Sequence, residues 1–193
     1  FDYLASGQIH LEDEVMTSGY AKSMGGSQVF LEEGETQILE TMIKCIAIAS
    51  GNDASVAVAE YIAGSESEFV KLMNEKAKEL ECTHSNFVTP NGIHDENHYT
   101  SAYDMALIAK AFFADELLSK MASTVSYKVP QSDTQPRDDM VVYAKSKLHK
   151  GKEYAYPGLV GTKTGYTDYA RQTLVSCASK NGMKLICVVL KEE

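Results

Sequence analysis

An α+β fold is what this sequence predicts, and three observations carry that expectation. Apolar residues between Ile38 and Phe113 recur at three and four positions behind helix-capping residues. The last third of the chain changes to β-rich runs separated by turn chemistry. With 193 residues, 44% hydrophobic and 23% charged, the chain can bury one sizeable core, and a single domain over residues 1–193 is expected.

Gln28-Val29-Phe30-Leu31 alternates weakly as a short strand would, and Glu32-Glu33-Gly34-Glu35 then turns the chain into a helix near Thr36, which can cap it. From Ile38 the positions Leu39, Met42, Ile43, Ile46 and Ala47 define one helical face, while Cys45 and Ile48 add apolar side chains off the stripe. This helix is expected to stop at Ser50-Gly51-Asn52-Asp53, where Gly51 permits a sharp bend and Asp53 can cap a second helix running to about Ile62. Ser65-Glu66-Ser67-Glu68 is a capping box for a third helix through Leu80. After the turn Thr89-Pro90-Asn91-Gly92, a second box, Ser101-Ala102-Tyr103-Asp104, opens a helix through Phe113. Residues 130–139, with two prolines and several aspartates, form a polar excursion.

Residues 159–165, 172–178 and 183–190 read as strands. Asn181-Gly182 signals a two-residue hairpin that pairs Lys180 with Met183. In that register Cys177 faces Ile186 and Cys187 faces Ser176, so the two cysteines point to opposite sides of the sheet and should not be bonded. The four cysteines are too few and too dispersed for a disulfide scaffold and read as small core residues.

A net charge of -9 argues against a nucleic-acid partner, and the lysines and arginines read as scattered pairs. The longest apolar run, at residues 185–190, falls far short of the roughly 20 residues that span a bilayer. His94, Asp95 and His98 form a histidine-rich cluster, but they follow Pro90-Asn91-Gly92 in a loop with no glutamate placed as a general base. A structural role is expected there, with no metal and no cofactor. The tyrosines Tyr99, Tyr103, Tyr154, Tyr156, Tyr166 and Tyr169 read as packing or rim residues.

Two short polar motifs stand out. Ser50 and Asn52 set a hydroxyl and a carboxamide two residues apart at a helix end; a helix stop followed by a cap is the duller alternative, and the place of the trio directly after a nearly all-apolar helix is what favours a site. In Lys163-Thr164-Gly165 strand alternation puts Lys163 and Gly165 on one face and Thr164 on the other. There a lysine and a hydroxyl could bind a carboxylate, and the N–H of Tyr166 could stabilise an oxyanion; a solvated edge lysine is the duller alternative. Residues 158–164 superficially resemble a phosphate-binding loop, but Thr162 stands where that motif needs glycine, and a strand follows instead of a helix.

These pieces occur beside Met24-Gly25-Gly26-Ser27, Leu31-Glu32-Glu33-Gly34-Glu35, Phe87-Val88-Thr89-Pro90-Asn91-Gly92, Asn97-His98-Tyr99-Thr100-Ser101-Ala102-Tyr103-Asp104 and Gly161-Thr162-Lys163-Thr164-Gly165-Tyr166-Thr167. In that order they resemble the D-alanyl-D-alanine carboxypeptidases, the low-molecular-mass penicillin-binding proteins of serine peptidase family S11. The resemblance implies a β-lactamase and transpeptidase-like fold acting on peptidoglycan stem peptides in the cell envelope, with β-lactams as inhibitors. It implies a proton relay through Ser50, a substrate amide held by Asn52, positive charge from Lys163 and a terminal carboxylate on Thr164. Gly165 and the N–H of Tyr166 complete the site, Tyr166 giving half of an oxyanion hole.

The nucleophile of such enzymes lies in Ser-x-x-Lys, a motif that does not occur in residues 1–193. The resemblance implies that the chain begins in the tail of the helix carrying it, and that the chain by itself is inactive. A β-lactamase is the nearest rival, although the Leu-Asn pair of class A enzymes is absent; a non-catalytic peptidoglycan-binding module is the rival of another class. Arg171 stands where many relatives have glycine, so a different local loop shape is expected there.

Overall fold

The computed structural model describes residues 2–192. In chain order the elements are α1 (Asp2–Ala5), β1 (Glu14–Met16), α2 (Gly19–Lys22), β2 (Thr36–Ile38), α3 (Leu39–Lys44), a π-helical segment (Cys45–Ala49), α4 (Asn52–Ala63) and α5 (Glu66–Glu79). They continue with α6 (Ala102–Phe112), α7 (Glu116–Ser123), β3 (Ser126–Lys128), β4 (Val141–Tyr143), β5 (Leu159–Thr167), β6 (Arg171–Lys180) and β7 (Met183–Glu192). Helices dominate the first two-thirds and an antiparallel sheet closes the chain, which is the α+β arrangement the sequence implies. The residues divide into two compact units, one formed by Phe1–Phe69 with Ser126–Tyr143 and the other by Val70–Val125 with Ala144–Glu193.

The first unit surrounds α4, whose residues Ala54, Val56, Ala57 and Ala59 are fully buried with Val15, Leu39 and Met42. Two antiparallel strand pairs, β1 with β2 and β3 with β4, flank this core. Two expectations fail here for one reason: the backbone donors go elsewhere. Residues 28–31 form no strand, because Phe30 is left-handed at φ 59 and the N–H groups of Val29 and Leu31 donate to the Asp53 carboxylate instead of a ladder. Thr36 does not cap a helix; it starts β2, and its N–H donates to Thr134 Oγ1 at 2.8 Å. The helix begins at Leu39, whose N–H bonds to Asp13 O.

The anticipated stripe also shifts phase. Cys45 and Ile48 are buried while Ile46 and Ala47 are only half-buried, since the widened π turn rotates the face that an α-helix would present; Ile43, in the α-helical part before it, is half-buried as well. Burial pushes the Cys45 thiol up to about 12, so this cysteine is an inert core group.

The second unit packs α6 and α7 on one face of the sheet β5-β6-β7. Ala109, Phe113, Ala122 and Cys177 form its centre, with Phe112, Val160, Val175 and Ile186 against them. Ser101 caps α6 by accepting the Asp104 N–H at 3.1 Å, as its capping box implies, and Glu68 N–H donates to Ser65 Oγ at the start of α5. Helix α7 has no counterpart in the sequence reading. The hairpin register is the anticipated one: Lys180 opposes Met183, Cys177 opposes Ile186, and Asn181 and Gly182 both have positive φ. All four cysteines are free, but Cys187 is exposed, a correction that follows from its place on the sheet face opposite Cys177.

The loop between β5 and β6 ends on Arg171, which adopts φ 58, a conformation suited to glycine and costing an ordinary residue about 1–2 kcal/mol. Arg171 is exposed. Arg171→Gly is therefore expected to stabilise the chain by about 0.5–1 kcal/mol in urea denaturation, the unfolded-state entropy of glycine offsetting part of the relief. A loss of stability would show that the arginine side chain contributes more than its backbone strain removes.

Candidate active site

Ser50 and Asn52 lie in the first unit, and Lys163, Thr164, Gly165 and Tyr166 in the second. Each cluster has its own construction.

Ser50 follows the π-helical segment and adopts φ 60 and ψ 43. The left-handed residue of this bend is thus the serine; Gly51, to which the sequence assigns the bend, has φ -63 and ψ 110. Space around Gly51 is tight: a Cβ there would lie 3.1 Å from Asp53 Oδ1 and 3.3 Å from Val29 Cγ1, so those side chains would have to shift by a few tenths of an ångström. The N–H groups of Ser50 and Gly51 reach back to the carbonyls of Ile46 and Cys45, closing the π turn. Strain of about 1–3 kcal/mol on a non-glycine residue persists only where the surroundings over-determine it, and such strain clusters at functional sites.

Asn52 opens α4 and is held on two sides by the Gly25-Gly26-Ser27 loop. Its N–H donates to Ser27 O at 2.8 Å, and its Nδ2 donates to Gly25 O at 2.7 Å. Gly26 sits at φ +79, and a Cβ on it would lie 2.9 Å from Asn52 Nδ2. Because Gly25 presents a carbonyl, the amide nitrogen must face it, which sets the direction of Oδ1. Asp53 is not the helix cap the sequence implies. It lies within α4, and its buried carboxylate gathers the N–H groups of Val29, Leu31 and Ala54 at 2.9–3.1 Å. Sequence reasoning does not find this brace, although Gly25-Gly26 is a visible turn signal.

In the second unit Gly161, Lys163 and Gly165 share a strand face, with Thr162 and Thr164 on the other. A Cβ on Gly161 would lie 2.6 Å from Phe113 Cε1 and 2.9 Å from Ala122 Cβ, so this is the face that the helices cover. Lys163 opposes Val175, which packs against the same core, and the lysine is half-buried and no solvated edge residue. Its Nζ donates to Thr164 O at 2.7 Å. Burial, helped by repulsion from Lys145, pulls its pKa from 10.5 down to about 8.

Thr164 is half-buried on the reverse face of β5, an edge strand of the sheet among the described residues. The space left by Gly165 is filled by the hydroxyl of its cross-strand partner, since a Cβ would lie 2.5 Å from Thr173 Oγ1. Tyr166 opposes Gln172 with its ring exposed, and its hydroxyl donates to Asp168 Oδ1. The other five tyrosines named as rim residues are exposed as well.

The histidines of the loop at residues 94–98 have backbone and ring partners. His98 Nδ1 accepts the Val88 N–H at 3.2 Å and its ring meets Phe87 edge-on, while burial lowers its pKa. His94 stacks on Tyr169 with centroids 3.8 Å apart. Among the described residues no helix is long and apolar enough to cross a membrane.

The chain is 47% identical over 186 residues to D-alanyl-D-alanine carboxypeptidase DacF of Bacillus subtilis (strain 168), covering 96% of this chain and 46% of the relative. To D-alanyl-D-alanine carboxypeptidase DacC of Escherichia coli (strain K12) it is 31% identical over 180 residues, covering 92% and 42%. The crystal structure of penicillin binding protein 5 from Haemophilus influenzae superposes with a TM-score of 0.85 at 30% identity, covering 97% of this chain and 53% of that one. The chain spans less than half the length of these two carboxypeptidases. Residues 2–193 match the sequence family described as D-alanyl-D-alanine carboxypeptidase, peptidase S11, and the chain belongs to that family.

Proposed function

We propose that the protein carrying this chain is a serine-type D-Ala-D-Ala carboxypeptidase that removes the terminal D-alanine from peptidoglycan stem peptides outside the cytoplasmic membrane. Residues 1–193 form one penicillin-binding, transpeptidase-like catalytic domain in this reading. The nucleophilic serine and its lysine come from a Ser-x-x-Lys motif that these residues do not contain. The serine hydroxyl attacks the carbonyl between the two D-alanines, the terminal D-alanine departs with a proton relayed through Ser50, and water hydrolyses the resulting ester. Asn52 holds the peptide amide, Thr164 the terminal carboxylate, and the Tyr166 N–H stabilises the oxyanion next to Gly165. Lys163 supplies the positive charge. β-Lactams, whose ring carbonyl acylates the same serine, are the inhibitors this chemistry implies.

The observation that carries the reading is Lys163, a half-buried ammonium whose pKa is pulled down to about 8 on a strand edge, in a member of the carboxypeptidase family. The test is a protein in which Ser-x-x-Lys precedes this chain. A stable adduct with labelled penicillin and release of D-alanine from a D-Ala-D-Ala peptide are expected. An adduct that hydrolyses quickly without any D-alanine release would make the protein a β-lactamase, and peptidoglycan binding without an adduct would make it a non-catalytic module.

A further inference from the structure

The 132–137 segment is tied to the loop that cradles Asn52 by a polar network, much of it buried. Gln135 is buried; its Oε1 accepts the Arg137 N–H at 2.5 Å and Arg137 Nε at 3.2 Å, and its Nε2 donates to the carbonyls of Pro130 and Arg137. This fixes the guanidinium. Arg137 Nη2 then donates to Phe30 O at 3.0 Å and lies 3.3 Å from Glu35 Oε2. The Glu35 carboxylate is itself buried and accepts from Glu32 N–H and Gln37 Nε2.

Phe30 is the strained residue of that loop and is 68% exposed, so burial of its side chain does not explain its left-handed backbone. What holds it is polar. The N–H groups on either side, from Val29 and Leu31, converge on Asp53, and its own carbonyl is turned to Arg137. The same loop presents Gly25 O and Ser27 O to Asn52 a few residues earlier. Releasing Phe30 from left-handed geometry would therefore shift Gly25 O, which orients the Asn52 carboxamide, and Ser27 O, which holds the Asn52 backbone N–H.

We infer that Arg137, through Phe30 O and Glu35, is a positioning residue for Asn52. The inference rests on the proposed role of Asn52 at the substrate, but one arm of its test does not. In the protein completed with Ser-x-x-Lys, Arg137→Met is expected to slow acylation by labelled penicillin roughly tenfold, with Arg137→Lys recovering part of that loss. In an Asn52→Ala background the same Arg137→Met change is expected to have an effect of less than about twofold, because a positioning residue has nothing left to position. An undiminished tenfold loss in that background would overturn the inference, since it would mark Arg137 as a general structural residue.

The second arm uses this chain alone, with the side-chain amide resonances of Asn52 as the readout. Arg137→Met is expected to shift them and to hasten their exchange with solvent, whereas Arg137→Lys shifts them less. Unchanged Asn52 resonances in Arg137→Met would overturn the inference. If the wild-type protein takes up no penicillin, the enzymatic reading fails while the resonances still decide the role of Arg137.

Discussion

Asp53→Ala is expected to lower the stability of the chain by about 3–5 kcal/mol. The carboxylate is 1% exposed and is the acceptor for three backbone donors, Val29 N–H, Leu31 N–H and Ala54 N–H. Removing it leaves those donors unpaired, at about 1–3 kcal/mol each before any water enters. It also frees Phe30, whose φ of 59 is maintained by its neighbours' bonds to Asp53. Part of the loss is offset as Phe30 relaxes, which is why the total stays below the sum of three orphaned donors. Asp53→Asn keeps one acceptor oxygen but turns an NH2 group toward N–H groups, so it should recover less than half of the difference. Urea denaturation followed by circular dichroism gives both numbers; a loss under about 1 kcal/mol for Asp53→Ala would mean that water satisfies the loop without help.

The same residue marks where sequence reading stopped working. In residues 29–31 the in-out-in alternation is correct as a burial pattern, since Val29 and Leu31 are buried and Phe30 is exposed. It fails as a strand because the partner of the backbone is a side chain more than twenty positions away, which no local pattern encodes. The β6–β7 hairpin was legible for the opposite reason. Asn181-Gly182 fixes the turn locally, and the turn fixes every opposed pair up to Cys177 and Ile186.

Helix α7 was legible in principle, because Asp115 caps it by accepting the Leu118 N–H, but eight residues give only two turns of periodicity. The pairs β1–β2 and β3–β4 are three residues per strand, too short for alternation to be distinguished from chance. At the candidate site the residue types were readable and their environments were not. That Ser50 carries the left-handed bend depends on the π turn before it. That Lys163 is sheltered depends on Gly161, whose missing side chain lets Phe113 and Ala122 close on β5.

Lys163→Met should separate function from stability by moving them in opposite directions. The pKa of Lys163 is about 8 in the folded chain, against 10.5 for the exposed group. Below about pH 8 the lysine is charged in both states, and sheltering that charge opposes folding by at most roughly 3 kcal/mol, less for a group that keeps some solvent contact. Between about 8 and 10.5 the unfolded chain holds the extra proton, so this opposition fades and the wild-type chain gains stability as pH rises. Above 10.5 both states are neutral and nothing remains of it.

Methionine, similar in length and uncharged, removes the opposition at every pH. The variant is expected to be more stable than wild type by about 1–3 kcal/mol at pH 7, with the advantage shrinking toward zero by pH 10.5. In the protein completed with Ser-x-x-Lys the same change should slow acylation by roughly 100- to 1,000-fold, because the charge would act where negative charge develops. Wild-type acylation should in turn decline as pH rises through about 8, the point at which Lys163 loses its proton. The outcome that would undo this account is a methionine variant that is less stable at pH 7 and acylates at the wild-type rate, since the lysine would then be a structural residue whose charge the site does not use.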